Sequence, residues 1–123
     1  MKKVIHRAKS INNKWVYGFL VNANHIRKIS IDGNPGKVVK IIPNTVGEYT
    51  NYNDIKGFPI YEGDILRVLM RDDCYYYLKV KFDDMDVCIF DNNGLGANLN
   101  YFKDYIVIGN IFDNQELIER EGN

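Results

Sequence analysis

Hydrophobic and polar positions along the chain alternate with a period of two, the period of a strand with one buried face, and not with the 3.6 of a helix. The clearest stretch is residues 74–82. Cys74, Tyr76, Leu78, Val80 and Phe82 fall on one side of it, and Tyr75, Tyr77, Lys79 and Lys81 on the other. The alternation predicts a half-buried antiparallel strand with the first set inward. Asp83-Asp84-Met85-Asp86 then predicts a turn that brings residues 87–90 back, with Phe82 across from Val87 and Cys88 across from Lys81. In that register Cys88 does not meet Cys74, so no disulfide is expected.

Residues 4–8, 15–21, 25–31 and 37–42 also read as strands. Turns are expected at Ile11-Asn12-Asn13-Lys14, Asn22-Ala23-Asn24 and Asp32-Gly33-Asn34-Pro35-Gly36, where Asn, Asp and Gly tolerate left-handed backbone. Residues 15–21 are apolar on both faces and predict a central strand. Residues 44–59 carry little periodicity and read as a connecting loop with room for a short strand or helical turn. Beyond it, residues 64–70 and 105–112 predict strands, Asp91-Asn92-Asn93-Gly94 a turn, and residues 98–104 a short helix. A C-terminal helix is expected after a cap at Asp113 or Asn114, with Glu116 in its first turn and Leu117 and Ile118 free to dock. Seven or eight short strands without a βαβ unit predict an all-β fold of small antiparallel sheets or an SH3-like barrel.

Composition and charge refine this reading. The 123 residues make one domain's worth of chain, and 46% hydrophobic residues are too many for a disordered one. Sixteen Lys/Arg balance sixteen Asp/Glu, but not evenly along the chain. Residues 1–43 hold nine basic residues and one acid, Asp32, a net charge of +8 that residues 44–123 cancel. The division suggests two parts within a single domain 1–123. These are a basic β-meander over 1–43 and a barrel over 60–113, joined by 44–59. No apolar run reaches membrane-spanning length, and no apolar segment follows Met1-Lys2-Lys3 as a secretion signal would require. A cytoplasmic protein without membrane contact is expected, and two cysteines suit a reducing compartment.

Two longer motifs carry a family resemblance. The first is Val46-Gly47-Glu48-Tyr49-Thr50 followed by Lys56-Gly57-Phe58-Pro59-Ile60-Tyr61-Glu62-Gly63-Asp64-Ile65-Leu66. The second is Val107-Ile108-Gly109-Asn110-Ile111-Phe112-Asp113-Asn114-Gln115-Glu116-Leu117. Together they resemble the YopX family of small phage and prophage proteins, with Glu48 standing for the usual Gln, Asn51 for Gly and Gln115 for Pro. The resemblance implies a largely β fold and a phage or prophage origin in a low-GC host; it implies no biochemical activity. Its fold-motif residues are Gly47, Tyr49, Tyr61, Glu62, Gly63, Asp64, Gly109 and Asn110. Physically, Gly63 can take positive φ and Asp64 can accept backbone amides to start a strand. Gly109 suggests a bulge or a close backbone approach, and Asn110 a side-chain lock on a neighbouring turn.

The chemistry-bearing residues do not assemble into a recognisable catalytic set. His6 and His25 lie on separate expected strands, and Ser10 and Ser30 lack the strand-turn-helix context of a nucleophile. The two Cys and two His lack zinc spacing, and Asp83, Asp84, Asp86 and Asp91 lack the spacing of a calcium loop. No enzyme, metal site or cofactor is expected. The expected function is a phage-encoded interaction module whose contact candidates, for a host or phage protein, are Tyr75, Tyr77, Lys79 and Lys81, since Tyr is enriched at interfaces. The alternative is nucleic-acid binding through Arg7, Lys14, Arg27, Lys28 and Lys40, interleaved with Trp15, Tyr17 and Phe19. If those three aromatics are core, that alternative weakens. The charge split also suits a homo-oligomer with head-to-tail contacts.

Overall fold

A computed structural model describes residues 4–29, 35–70, 72–84, 86–91, 94, 96–102 and 104–121. The expected turn at residues 32–34, and Met85, Asn92 and Asn93 of the other expected turns, lie outside this set. The chain forms two compact units, Met1–Asn51 and Tyr52–Asn123. Their boundary lies within residues 44–59, past the charge division at residue 43. The first unit's sequence holds nine Lys/Arg and two acids, the second's seven Lys/Arg and fourteen acids.

In the first unit the strands are β1 (His6–Lys9), β2 (Trp15–Asn22), β3 (His25–Ile29), β4 (Pro35–Lys40) and β5 (Gly47–Asn53), which runs past the boundary. With β6 (Pro59–Tyr61) the antiparallel order is β4-β3-β2-β1-β5-β6. The turns form where Asn was expected to allow them. Asn13 sits at φ 68 and closes the β1–β2 turn by donating to Ser10 O at 2.8 Å. Asn22 Oδ1 accepts the Asn24 amide at 2.9 Å between β2 and β3. Gly18 lets β2 and β3 approach closely, because a Cβ there would lie 1.8 Å from the Arg27 carbonyl oxygen. The unit's core is small. Ala8, Ile26 and Ile41 are buried, with Val16, Val39 and Val46 packed against them.

The apolar run of residues 15–21 forms a central strand, as expected. β2 lies between β1 and β3; the apolar cluster packs on one of its faces, and on the other Arg7 is buried beside Trp15 while the ring positions further along β2 are exposed. Trp15, Tyr17 and Phe19 alternate with Val16 and Gly18, so they project away from the Ala8–Ile26–Ile41 cluster. Tyr17 remains 44% exposed and Phe19 53%.

In the second unit, β7 (Asp64–Leu69), β8 (Tyr75–Asp83), β9 (Asp86–Phe90), β10 (Gly96–Asn98) and β11 (Tyr105–Asn110) form an antiparallel sheet of order β10-β9-β8-β7-β11. β8 meets β9 in the register expected from the sequence, Phe82 opposite Val87 and Lys81 opposite Cys88. The inward positions Leu78 and Val80 join Ile60, Leu66, Val68, Val87, Ile89 and Leu99 in the core, with Tyr76 and Phe82 packed against them. Cys74 does not. It precedes β8 and is exposed, because Asp72 Oδ1 takes its amide into the β7–β8 turn.

The sheet is open, which corrects the expectation of an SH3-like barrel. Its edge strands β10 and β11 do not pair with each other, and closure would require that pairing. The helix expected over residues 98–104 is instead the end of β10 and one 3₁₀ turn, Leu99–Tyr101. Residues 44–59 hold the end of a 3₁₀ turn, Pro43–Thr45, all of β5 and the start of β6. The helix α1 (Gln115–Glu121) packs against β8 and buries Ile118.

The two long motifs build turns. Gly63 has φ 94, and Asp64, 1% exposed, accepts the Tyr61 amide through Oδ2 at 2.8 Å. Tyr61 is buried, and Glu62 Oε2 receives the Phe82 amide at 3.5 Å. The β7–β11 register shifts between Val107 and Gly109. Asn110 Oδ1 then accepts the amides of Phe112 and Asp113 at 3.0 and 2.9 Å, locking the turn into α1. In β5, Gly47 lies opposite Arg7, and the Tyr49 amide donates to Ile5 O at 2.7 Å.

Candidate interaction surfaces

Alternation along β8 places Tyr75, Tyr77, Lys79 and Lys81 on the face of the second sheet opposite its core. Cross-strand pairing adds neighbours that the sequence did not single out. Leu69 faces Tyr75, Arg67 faces Tyr77, and Ile106 of β11 flanks Arg67. The Arg67 guanidinium lies over the Tyr75 ring at 4.5 Å, a cation–π distance, and its Nε is buried without a hydrogen-bond partner. Beside it is a cleft of about 180 Å³ lined by Ile55, Arg67, Leu69, Tyr75, Asp104 and Ile106.

The four sequence candidates are therefore not equivalent. Tyr75 borders the cleft and is 55% exposed. Lys79 pairs with Ile65 and Phe90, and Ile65 is fully buried on this same face. Lys81 pairs with Cys88 further from the cleft and is exposed. The thiol of Cys88 is pushed up from its ordinary pKa by burial first and then by the charges of Asp83 and Asp86. At the other end, Asp72 accepts the Tyr76 hydroxyl at 2.8 Å and the Cys74 amide at 3.0 Å, and these bonds hold its carboxyl below the usual range.

Asp54 holds the wall that carries Ile55. It is 5% exposed and its carboxylate accepts three backbone amides: Lys56 and Phe58 at Oδ1, both at 2.9 Å, and Val107 at Oδ2 at 3.0 Å. The Ile55 amide donates to Tyr105 O at 3.2 Å. The segment is thus tied to β11, which leaves Ile55 61% exposed at the cleft. Burial also raises the Tyr105 hydroxyl pKa, with smaller contributions from Tyr52 and Asp54. The local sequence carried one signal of this, an Asp followed three residues later by Gly, but nothing that pointed to β11.

The second surface is the face of the first sheet away from its core. Register places Arg7 opposite Tyr17, Lys9 opposite Trp15, Arg27 opposite Phe19 and Val38, and Lys40 opposite His25. The five basic candidates divide. Arg27 and Lys40 are exposed on the Tyr17–Phe19 face. Lys28 pairs with Gly18 and so belongs to the other face, and Lys14 is exposed just before β2. Arg7 is 6% exposed and lies 4.8 Å from the Trp15 ring centroid, buried as part of the sheet rather than presented to solvent. Lys9, absent from the sequence candidates, brings its Nζ to 5.6 Å from the same ring.

Among the described residues, no group of three or more His, Cys, Asp or Glu is placed to hold a metal ion. No helix among them is long and apolar enough to cross a membrane. A family model described as YopX protein matches residues 6–119, nearly the whole chain. No curated protein matches it.

Proposed function

The chain belongs to the YopX family, and from that premise we propose that it is a non-enzymatic interaction module that binds a protein through the cleft on the second sheet's face opposite its core cluster. The observation that carries this reading is the cleft beside the Arg67–Tyr75 stack. At about 180 Å³ it is below the ~300–1,000 Å³ of sites that enclose a small-molecule ligand, and it suits one anchoring side chain. Its lining is mostly apolar, from Ile55, Leu69 and Ile106, and a tyrosine and an arginine stack together beside it. Aromatic and arginine side chains that a partner buries dominate the energetics of protein interfaces. Charges of both signs line it, Arg67 and Asp104. A mixed rim fits a protein surface better than a run of phosphates.

In this proposal the protein is a phage or prophage accessory factor that acts in the host cytoplasm. Its partner is a host or phage protein that inserts an apolar side chain between Ile55 and Tyr75. The test is affinity purification from the host with and without nuclease, comparing the natural chain with Ile55→Ser/Tyr75→Ala. Both positions are exposed, so the fold should survive. The expected result is a nuclease-resistant partner that the double variant loses. An identical captured set from both chains refutes the reading, and recovery of this same chain alone assigns the face to self-association.

A further inference from the structure

The open face of the first sheet has a chemistry that protein docking on the second does not use. We infer that this face binds single-stranded nucleic acid. Tyr17 and Phe19 sit at alternate positions of β2, about 6.8 Å apart along the strand, so their side chains project from one face. Both are large, exposed and outside the core cluster. Every base has a flat π-face, so a pair of rings on a sheet can stack successive unpaired bases whatever their sequence. A duplex cannot use them, because its bases are already stacked and paired.

The basic groups occur where a backbone would run. Arg27 lies directly opposite Phe19, and its Nη1 donates to Gly36 O at 3.1 Å, which fixes the guanidinium across the strands and leaves further donors for phosphate. Lys40 is exposed on the same face, one strand further out. On the other side Lys9 stands beside Trp15. The exposed Val38 next to Arg27 extends the apolar platform between these charges. The unit's excess of basic residues, nine against two acids, supplies the long-range attraction for a polyanion. Aromatic rings and cations on one open face, in a unit of that charge, complement a single strand. The inference does not depend on the cleft of the second unit, which shares no residue with this face.

The test titrates the full chain into a fluorescently labelled 12-mer of thymidine or uridine at low salt, followed by anisotropy, with a duplex of equal length in parallel. The single strand should bind at or below about 10 µM and the duplex more weakly. Tyr17→Ala and Phe19→Ala should each weaken binding about 10-fold or more. Phe19→Leu keeps apolar bulk and the fold but removes the ring, and it should show a similar loss. Lys40→Ala should lower the slope of log affinity against log salt by about 0.7, one phosphate contact's share on a single strand. Tyr75→Ala should bind as the natural chain does, which separates this result from the fate of the protein-binding proposal. No binding at low salt overturns the inference, as does Phe19→Leu binding unchanged. Concentration-dependent self-association abolished by Phe19→Ala also overturns it, by assigning the face to a second copy.

Discussion

Replacing Asp54 with Asn tests how the second unit is held together. The change is nearly isosteric and leaves the backbone path alone. The Asn side-chain oxygen can keep the amides of Lys56 and Phe58, which now reach Oδ1 at 2.9 Å. The new NH2 group then faces the Val107 amide, donor against donor, where Oδ2 now accepts at 3.0 Å. A buried donor left without an acceptor costs about 1–3 kcal/mol. Neutralising the acceptor weakens the two remaining bonds by about 1 kcal/mol together. Relief of the carboxylate's desolvation offsets part of this. The expected net loss is about 2–3 kcal/mol, a fall of roughly 1–2 M in the urea midpoint for a small protein. Far-UV circular dichroism should follow it. Trp15, the only tryptophan, reports the first unit and is not the right probe. Amide hydrogen exchange supplies the local readout, and Val107 should lose protection more than its neighbours in β11. A loss under about 0.5 kcal/mol with Val107 protection unchanged would refute the assignment of Asp54 as the tie between this segment and β11.

The two cysteines should differ in reactivity. Cys74 is exposed, whereas burial and two aspartates raise the Cys88 thiol pKa and so reduce its thiolate at any given pH. Alkylation at neutral pH followed by peptide mapping should label Cys74 first, and equal rates would contradict the environment described for Cys88. Tyr76→Phe should raise the Asp72 pKa towards its ordinary value, because the Tyr76 hydroxyl is the largest cause of its depression. A carboxyl depressed in the folded state stabilises the fold above its unfolded pKa, and that contribution is lost as pH falls through the folded value. The variant should therefore be slightly less stable than the natural chain at neutral pH, with the difference vanishing as pH falls through the folded-state pKa. A carboxyl titration by NMR in which Asp72 does not move counts against the bond.

The strand pattern and turn chemistry were legible because both are local. The register of β8 on β9 followed from alternation and one four-residue turn, and the left-handed residue at Asn13 from a paired Asn. The turn-forming roles of Asp64 and Asn110 depend on residues two or three positions away, so sequence adjacency carries them. Cys74 was misplaced because alternation alone does not say where a strand begins, and the Asp72 carboxylate takes its amide into the turn. The barrel failed for a different reason. Closure depends on which strands become edges, and no local pattern encodes that.

By itself, then, the sequence determined an all-β chain of the YopX family, its turns, and a basic half followed by an acidic one. Only the tertiary structure decided which apolar residues are core. Residues 15–21 are apolar on both faces, yet the packed cluster covers only the side of Val16, so Tyr17 and Phe19 face outward with Arg27 while Arg7 is buried beside Trp15. It also brought Arg67 over Tyr75 and carried Asp54 to Val107, 53 residues away. Periodicity fixes which residues share a side of a strand. Which side is buried depends on what packs against it, and that is set by contacts between segments far apart in the chain.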